Sequence, residues 1–393
     1  MATREEITPR CAHFGECGGC EWQHVPYGDQ LVRKAELVTR LVRRGVSDAP
    51  AARPTIPGTS IDHPWGYRNK VHFVFGAALG AADTLIMGHY ARGSRRVIPV
   101  HECPVHDDRG NALAFMLRDV YAAASVGAAP KGTLKSVAIR VAHRTPEVTA
   151  TIVARSDSDK QLRAATRRIL TAPGAPSSFH LNVHPRGDPF IFGPQTRRIT
   201  GRDRMREDVG GISFLISPTT FFQTNVRAAE ILVGLLCDAV ARGARVLDLY
   251  AGAGLFTLPL ARRGHAVVAV EESRGAVADG EASRALNRIR PETCRFVARP
   301  VEDALRQLCR ARAHFDAVIL DPPREGCTRT VISDVFGTLA PEQAIYVSCN
   351  PEALARDLRS IVRHGYRVES LQPVDMFPHT THVEVVAVLA REP

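Results

Sequence analysis

Ala244-Arg-Val-Leu-Asp248-Leu-Tyr250-Ala-Gly252-Ala-Gly254-Leu-Phe-Thr257 decides the architecture of the second half of the chain. A short apolar run ends on polar residues, turns through two glycines and enters a helix-like segment over 257–263. The unit then recurs. Ala266-Val-Val-Ala-Val270 ends in Glu271, Cys294-Arg-Phe-Val-Ala298 follows, Phe315-Asp-Ala-Val-Ile-Leu320 ends in Asp321, and Gln343-Ala-Ile-Tyr-Val347 leads to Cys349. Helix-like stretches separate these runs, and alternating strands and helices specify an α/β fold, a doubly wound, Rossmann-like parallel sheet. Segments 366–375 and 382–389 close the chain as an antiparallel pair. Ligands of such sheets lie beyond the carboxyl ends of the strands, so Gly252, Gly254, Glu271, Asp321 and Cys349 are expected on one rim.

Each of these residues has a chemical reading. Gly252-Ala-Gly254 alone is weak, and Thr257 stands where a dinucleotide fold wants a third small residue. Glu271, about 20 residues on, ends the next strand, where a carboxylate accepts hydrogen bonds from ribose hydroxyls. That suits a nucleoside without a pyrophosphate as well as NAD. Asp321-Pro-Pro-Arg324 pairs a carboxylate with two rigid prolines, a shape that holds a planar base or a cationic ligand close to the backbone. Ser348-Cys349-Asn350-Pro351 delivers a thiol at a strand end, with Pro351 suited to the first turn of the helix that follows. A thiolate near a helix N-terminus is stabilised, which marks Cys349 as a candidate nucleophile rather than a core thiol.

At 393 residues the chain is too long for one core, and 45% apolar content fits globular packing. No segment approaches the roughly 20 apolar residues of a membrane span, and Met1-Ala-Thr-Arg-Glu-Glu has no apolar leader, so a cytoplasmic protein without a membrane partner is expected. A net charge of +10 favours a polyanionic partner. Nothing in the sequence points to an obligatory protein partner. Nine cysteines in such a chain are not read as a disulfide framework. Cys11, Cys17 and Cys20 lie close together among glycines, and Cys103 follows far downstream, before Pro104. Three close thiolates and a distant fourth match the ligand style of a [4Fe–4S] cluster; a four-cysteine zinc site, the competing reading, more often uses paired C-x2-C knuckles. His13, His24, His101 and His106 lie nearby and read mostly as surface histidines.

Between residues 55 and 208 the chain reads as β-rich, with strand-like runs at 67–75, 136–142 and 148–153 and a helix at 157–170. Basic residues cluster in Tyr90-Ala-Arg92-Gly-Ser-Arg95-Arg96 and in 197–206, the second partly neutralised by Asp203, Glu207 and Asp208. With Arg68 and Lys70 they form a candidate phosphate-contacting surface.

The ordered motifs carry a resemblance over nearly the whole chain. The cysteine pattern, Tyr67-Arg-Asn-Lys70, Gly88-His-Tyr-Ala-Arg-Gly-Ser94 leading to His101-Glu-Cys-Pro104, Phe221-Phe-Gln223-Thr-Asn225, Asp321-Pro-Pro-Arg324, Ser348-Cys-Asn-Pro351 and Thr381-His-Val-Glu384 together resemble the RNA uridine-C5 methyltransferase family. The resemblance implies a cysteine-rich iron–sulfur segment over 1–54, a β-rich RNA-binding domain over 55–208 that completes the cluster with Cys103, and a class I methyltransferase domain over 209–393. It implies S-adenosylmethionine and a [4Fe–4S] cluster as cofactors, Cys349 as nucleophile and Glu384 as base. It further implies Gln223, Tyr250, Glu271 and Asp321 as cofactor contacts, and Cys11, Cys17, Cys20 and Cys103 as cluster ligands. The substrate implied is 23S rRNA, with tRNA as the alternative. Only ten residues precede Cys11, as in a short form lacking the oligonucleotide-binding barrel of many relatives. Relatives often carry cysteine at the position of Ala251 and a polar or small residue at that of Leu255, so Leu255 is assigned no cofactor contact. Phe221, Phe222 and Phe377 are candidate stacking partners for an unstacked base.

Overall fold

Short β-branched runs, each stopped by a polar residue or glycine, build the larger sheet. The structure, a computed structural model, describes residues 6–78, 81–187 and 191–393; the first five residues, on which the expectation of no leader partly rests, lie outside that range. The chain forms two compact units: Met1–His24, Pro64–Glu207 and Ile216–Thr219 make one, and Val25–His63, Asp208–Leu215 and Thr220–Pro393 the other.

In the second unit an eight-stranded sheet runs in the order Ile56–Pro57, Tyr366–Asp375, Glu384–Arg391, Gln343–Ser348, Ala317–Leu320, Arg245–Leu249, Ala266–Glu271, Cys294–Ala298. Only Glu384–Arg391 runs against its neighbours. The α/β, Rossmann-like expectation therefore holds, including the closing antiparallel pair. Leu247, Leu249, Val318, Leu320, Tyr346 and Val385 face a core shared with helices Tyr27–Arg43, Val301–Arg310 and Pro351–Val362. The alternate residues Val246, Ile319, Ile345 and Val386 are equally buried on the other face. Burial on both faces explains why these strands read as continuous apolar runs.

The expected boundary at 54/55 is corrected, because residues 25–63 belong to the second unit. Helix Tyr27–Arg43 packs on Pro351–Val362, and strand Ile56–Pro57 pairs with Tyr366–Asp375. Lys34 and Asp375, both fully buried, close this packing at 2.6 Å.

The first unit holds a seven-stranded sheet in the order Val97–Pro99, Ala81–Tyr90, Lys70–Ala78, Leu134–Val141, Val148–Ala154, Ser178–Val183, Gln195–Thr200. The β-rich reading is met, but helix Asp108–Ala123 escaped it. Asp107 caps this helix by accepting from Arg109 N, and Leu113, Leu117 and Tyr121 at four-residue spacing enter the core. Each buried side chain of that size contributes about 1.5–3 kcal/mol. Gly88 is required where it stands, since a Cβ there would lie 1.7 Å from the Ile98 carbonyl oxygen. Among the described residues no helix is long and apolar enough to cross a membrane.

Candidate active site

Strand register assembles the rim of the second unit. Leu249 pairs with both Val270 and Leu320, so the next residues, Tyr250, Glu271 and Asp321, stand in line at the carboxyl edge. Ser348 pairs with Val385 at the last rung of the antiparallel ladder, and one step beyond it the charge of Glu384 acts on the Cys349 thiol. One step of register would turn these side chains to the other face, so the buried faces of the strands fix the site.

The Ser-Cys-Asn-Pro turn is held by hydrogen bonds of its own. Asn350 caps helix Pro351–Val362, its Oδ1 accepting from Glu352 N (3.1 Å) and Ala353 N (3.4 Å). Its Nδ2 donates to the Arg324 carbonyl at 2.9 Å, fastening this turn to Asp321-Pro-Pro-Arg324. The Ser348 hydroxyl donates to the Asn350 carbonyl at 3.0 Å. Cys349 is partly buried between them. Burial, and then the charge of Glu384, pushes its thiol up to about 11, with Arg324 opposing. Glu384 is 5% exposed, and burial raises its carboxyl to about 7, again opposed by Arg324. Burial followed by the charges of Glu384 and Asp248 raises Asp321 well above the usual carboxylate range. A thiol, a carboxylate poised near neutrality and a guanidinium thus share one rim. Arg324 was not singled out from sequence; its role emerges from facing both Cys349 and Glu384, and its Nη2 lies 3.4 Å from His382 Nε2.

The glycine turn builds the neighbouring half of the rim. Glu271 accepts from Gly252 N at 2.9 Å and from Ser273 N at 2.8 Å, which orients its carboxylate. Gly254 sits at φ +86°, and a Cβ there would meet the Phe296 ring at 2.7 Å. Thr257 departs from the dinucleotide pattern because its hydroxyl is used locally, donating to Asp248 Oδ2. Asp248 is fully buried, its Oδ1 has no partner, and burial raises its carboxyl to about 7. Sequence reading passed over Asp248 because a carboxylate inside an apolar strand gave no separate signal. Tyr250 adopts the left-handed conformation at φ +63°, and its hydroxyl contacts Cys327. Gln223 is buried just ahead of helix Val226–Ala239, whose cap, Asn225, accepts from Ala228 N and donates to the Met376 carbonyl. Among the aromatic candidates, Phe221 is 69% exposed, whereas Phe222 packs on Phe214 at 5.2 Å in the core. Phe222 is therefore corrected from a stacking candidate to a packing residue.

The first unit contains the other constellation. Cys11, Cys17, Cys20 and Cys103 line one cavity of about 850 Å³. Cys11 N donates to Gln23 Oε1 at 3.0 Å, Cys17 bridges to Ala91, and the Cys103 carbonyl accepts from His106 N and Asn111 Nδ2. Burial pushes Cys20 up to about 11 and Cys103 up to about 12, with neighbouring thiols adding to both. Four thiols around one void suit a polynuclear or single cation that would hold them as thiolates. The histidine expectation is corrected in part: His106 is only 1% exposed, and His89, not considered from sequence, stands beside it with ring centroids 5.3 Å apart. Arg92 and Arg95 are exposed at the cavity mouth. Lys70 differs from the expected surface cation: it is partly buried over the Phe192 ring, and burial beside Arg140 and Arg68 lowers it to about 7.

Comparisons with known proteins identify the family. A family model described as tRNA (uracil-5-)-methyltransferase matches residues 208–392. An uncharacterised RNA methyltransferase of Gloeobacter violaceus is 36% identical over 100% of this chain and 84% of its own length. The chain belongs to the RNA uridine-C5 methyltransferase family. It is an RNA methyltransferase by that membership, and a further RNA methyltransferase, from Listeria innocua, is 31% identical over 99% of this chain and 85% of its own length. The solved tRNA (uracil-54, C5)-methyltransferase of Pyrococcus abyssi, in complex with S-adenosyl-L-homocysteine, aligns with a TM-score of 0.76 and 25% identity over 96% of this chain and 86% of that one.

Proposed function

We propose that the protein transfers a methyl group from S-adenosylmethionine to C5 of a uridine in 23S rRNA, through a covalent bond between Cys349 and C6. The observation that carries this reading is the placement of Cys349 and Glu384 one step beyond the last rung of the ladder, with Arg324 facing both. When bound, S-adenosylmethionine supplies an electrophilic methyl group. Glu271 and Asp321 would hold it, and Gln223 and Tyr250 would flank it. Uracil C5 is too weak a nucleophile alone, and attack of the Cys349 thiolate on C6 places electron density there. After C5 is methylated, Glu384 accepts the C5 proton, the electron pair re-forms the C5–C6 double bond, and the thiolate leaves. The Arg324 guanidinium lies where it favours the ionised forms of both groups. Phe221 is available to stack an extruded base.

Cys11, Cys17, Cys20 and Cys103 are proposed to hold a [4Fe–4S] cluster; their convergence on one cavity supports it, and because methyl transfer moves no net electrons a structural role is expected of it. A tRNA target is the second reading, supported by the likeness to the Pyrococcus abyssi tRNA enzyme. Mass-spectrometric mapping of 5-methyluridine in rRNA and tRNA from a deletion strain tests both. Loss of one 23S rRNA 5-methyluridine is expected; loss confined to tRNA selects the second reading, and no loss in either rejects the function.

A further inference from the structure

The cysteine-lined cavity contains a second ligand set that the four-thiol reading leaves unused. Atoms of His89, Cys103 and His106 lie within 4.8 Å of one another. His89 Nε2 and His106 Nδ1 are both buried without a hydrogen-bond partner. A buried imidazole nitrogen left unpaired is unfavourable unless a ligand meets it, so two such nitrogens on residues clustered with a thiol mark a place for a ligand. Backbone geometry prepares the set: His106 N donates to the Cys103 carbonyl at 3.0 Å, and Phe73 packs on both rings, at 4.8 Å from His89 and 5.1 Å from His106. Two imidazoles and one thiolate form a borderline-soft donor set that suits a single ion of the zinc class, and all three residues line the cavity.

We propose that His89, Cys103 and His106 bind one zinc-class divalent ion, and that this site shares Cys103 with the four-cysteine site so that the two metals exclude each other. The sharing clause rests on the cluster reading above; the three-residue site does not. Binding releases the Cys103 thiol proton to solvent and involves no redox change.

The probe is cobalt(II), added to three proteins: iron-loaded wild type, the Cys17→Ser variant, and Cys17→Ser combined with His89→Gln or His106→Gln. Cys17→Ser removes a cluster ligand but none of the three proposed here. It is expected to take up about one cobalt per chain with visible ligand-field bands and a thiolate charge-transfer band, whereas each added histidine substitution weakens binding by at least about tenfold. Iron-loaded wild type is expected to take up none. Circular dichroism and melting of the metal-free forms establish that the variants fold, and Cys103→Ser offers a second reading through loss of the thiolate band. Absence of cobalt binding in Cys17→Ser, or binding unchanged by both histidine substitutions, overturns the site. Cobalt bound alongside a full iron complement overturns the exclusion, and wild type without iron after anaerobic purification counts against the cluster alone.

Discussion

Replacing Glu384 with glutamine should make Cys349 more reactive even as it abolishes turnover. Opposed residues of an antiparallel ladder stand about 5 Å apart, and Cys349 and Glu384 lie one step beyond the last rung, Ser348–Val385. At that separation and an effective dielectric of about 20, a carboxylate opposes thiolate formation by about 3 kcal/mol, or about 2 pKa units. Solvent at the partly open rim reduces this to about 1 unit. The Cys349 thiol, pushed up to about 11 by burial and then Glu384, should therefore fall when that charge is removed. A drop of about one unit gives about tenfold more thiolate, but intrinsic nucleophilicity declines with a slope of about 0.4–0.5, leaving a net gain of about three- to fourfold. The assay is iodoacetamide alkylation at about pH 8, followed by mass spectrometry of the peptide containing Cys349, which separates it from the other eight cysteines. Arg324→Ala is the mirror case and should slow alkylation by a similar factor. Unchanged or slower alkylation in Glu384→Gln would refute the coupling between nucleophile and base.

Three further outcomes follow from the same geometry. Glu384 must be ionised to accept a proton, and burial raises it to about 7, so breakdown of the methylated covalent adduct, which follows thiolate attack, should slow about tenfold per pH unit below that value; a breakdown rate flat from pH 7 to pH 5 would exclude it as the base. Lys34→Ala leaves the Asp375 carboxylate buried without its cation and should cost about 3–5 kcal/mol, read as a lowered melting midpoint, while an unchanged midpoint would mean the pair contributes nothing. If the exposed guanidiniums of Arg92 and Arg95 contact phosphates, each alanine substitution should flatten the logarithmic salt dependence of RNA affinity by about one unit of slope; slopes equal to wild type would move RNA binding elsewhere.

The α/β unit was legible because its strands are buried on both faces and end on polar residues, so Leu249, Val270 and Leu320 mark both the sheet and its rim. Cys349 was legible for the same reason, a thiol placed between an apolar run and a helix-starting proline. What escaped was set by three-dimensional partners. Helix Tyr27–Arg43 carries Lys34 among its buried residues, and nothing in the local pattern announces the Asp375 that neutralises it 341 positions away. Helix Asp108–Ala123 mixes Gly110 and Asn111 into its buried face, which blurs the apolar stripe. Thr257 looked like a defect in a glycine motif until Asp248 was found beneath it. His89 and His106 are 17 positions apart in a charged, irregular stretch, and only the pairing of Ala81–Tyr90 with Val97–Pro99 and the turn after Cys103 bring them together.

The most direct test of the central claim is a denaturing gel of labelled substrate RNA incubated with S-adenosylmethionine and wild-type, Cys349→Ala or Glu384→Gln protein. The nucleophile acts before methyl transfer and the base after it, so the two losses separate. Glu384→Gln should accumulate a methylated RNA covalently bound through Cys349. Cys349→Ala should give no adduct, even when 5-fluorouridine occupies the target position and traps the wild type. An adduct formed by Cys349→Ala, or rapid clean turnover by Glu384→Gln, would contradict the assignment of nucleophile and base.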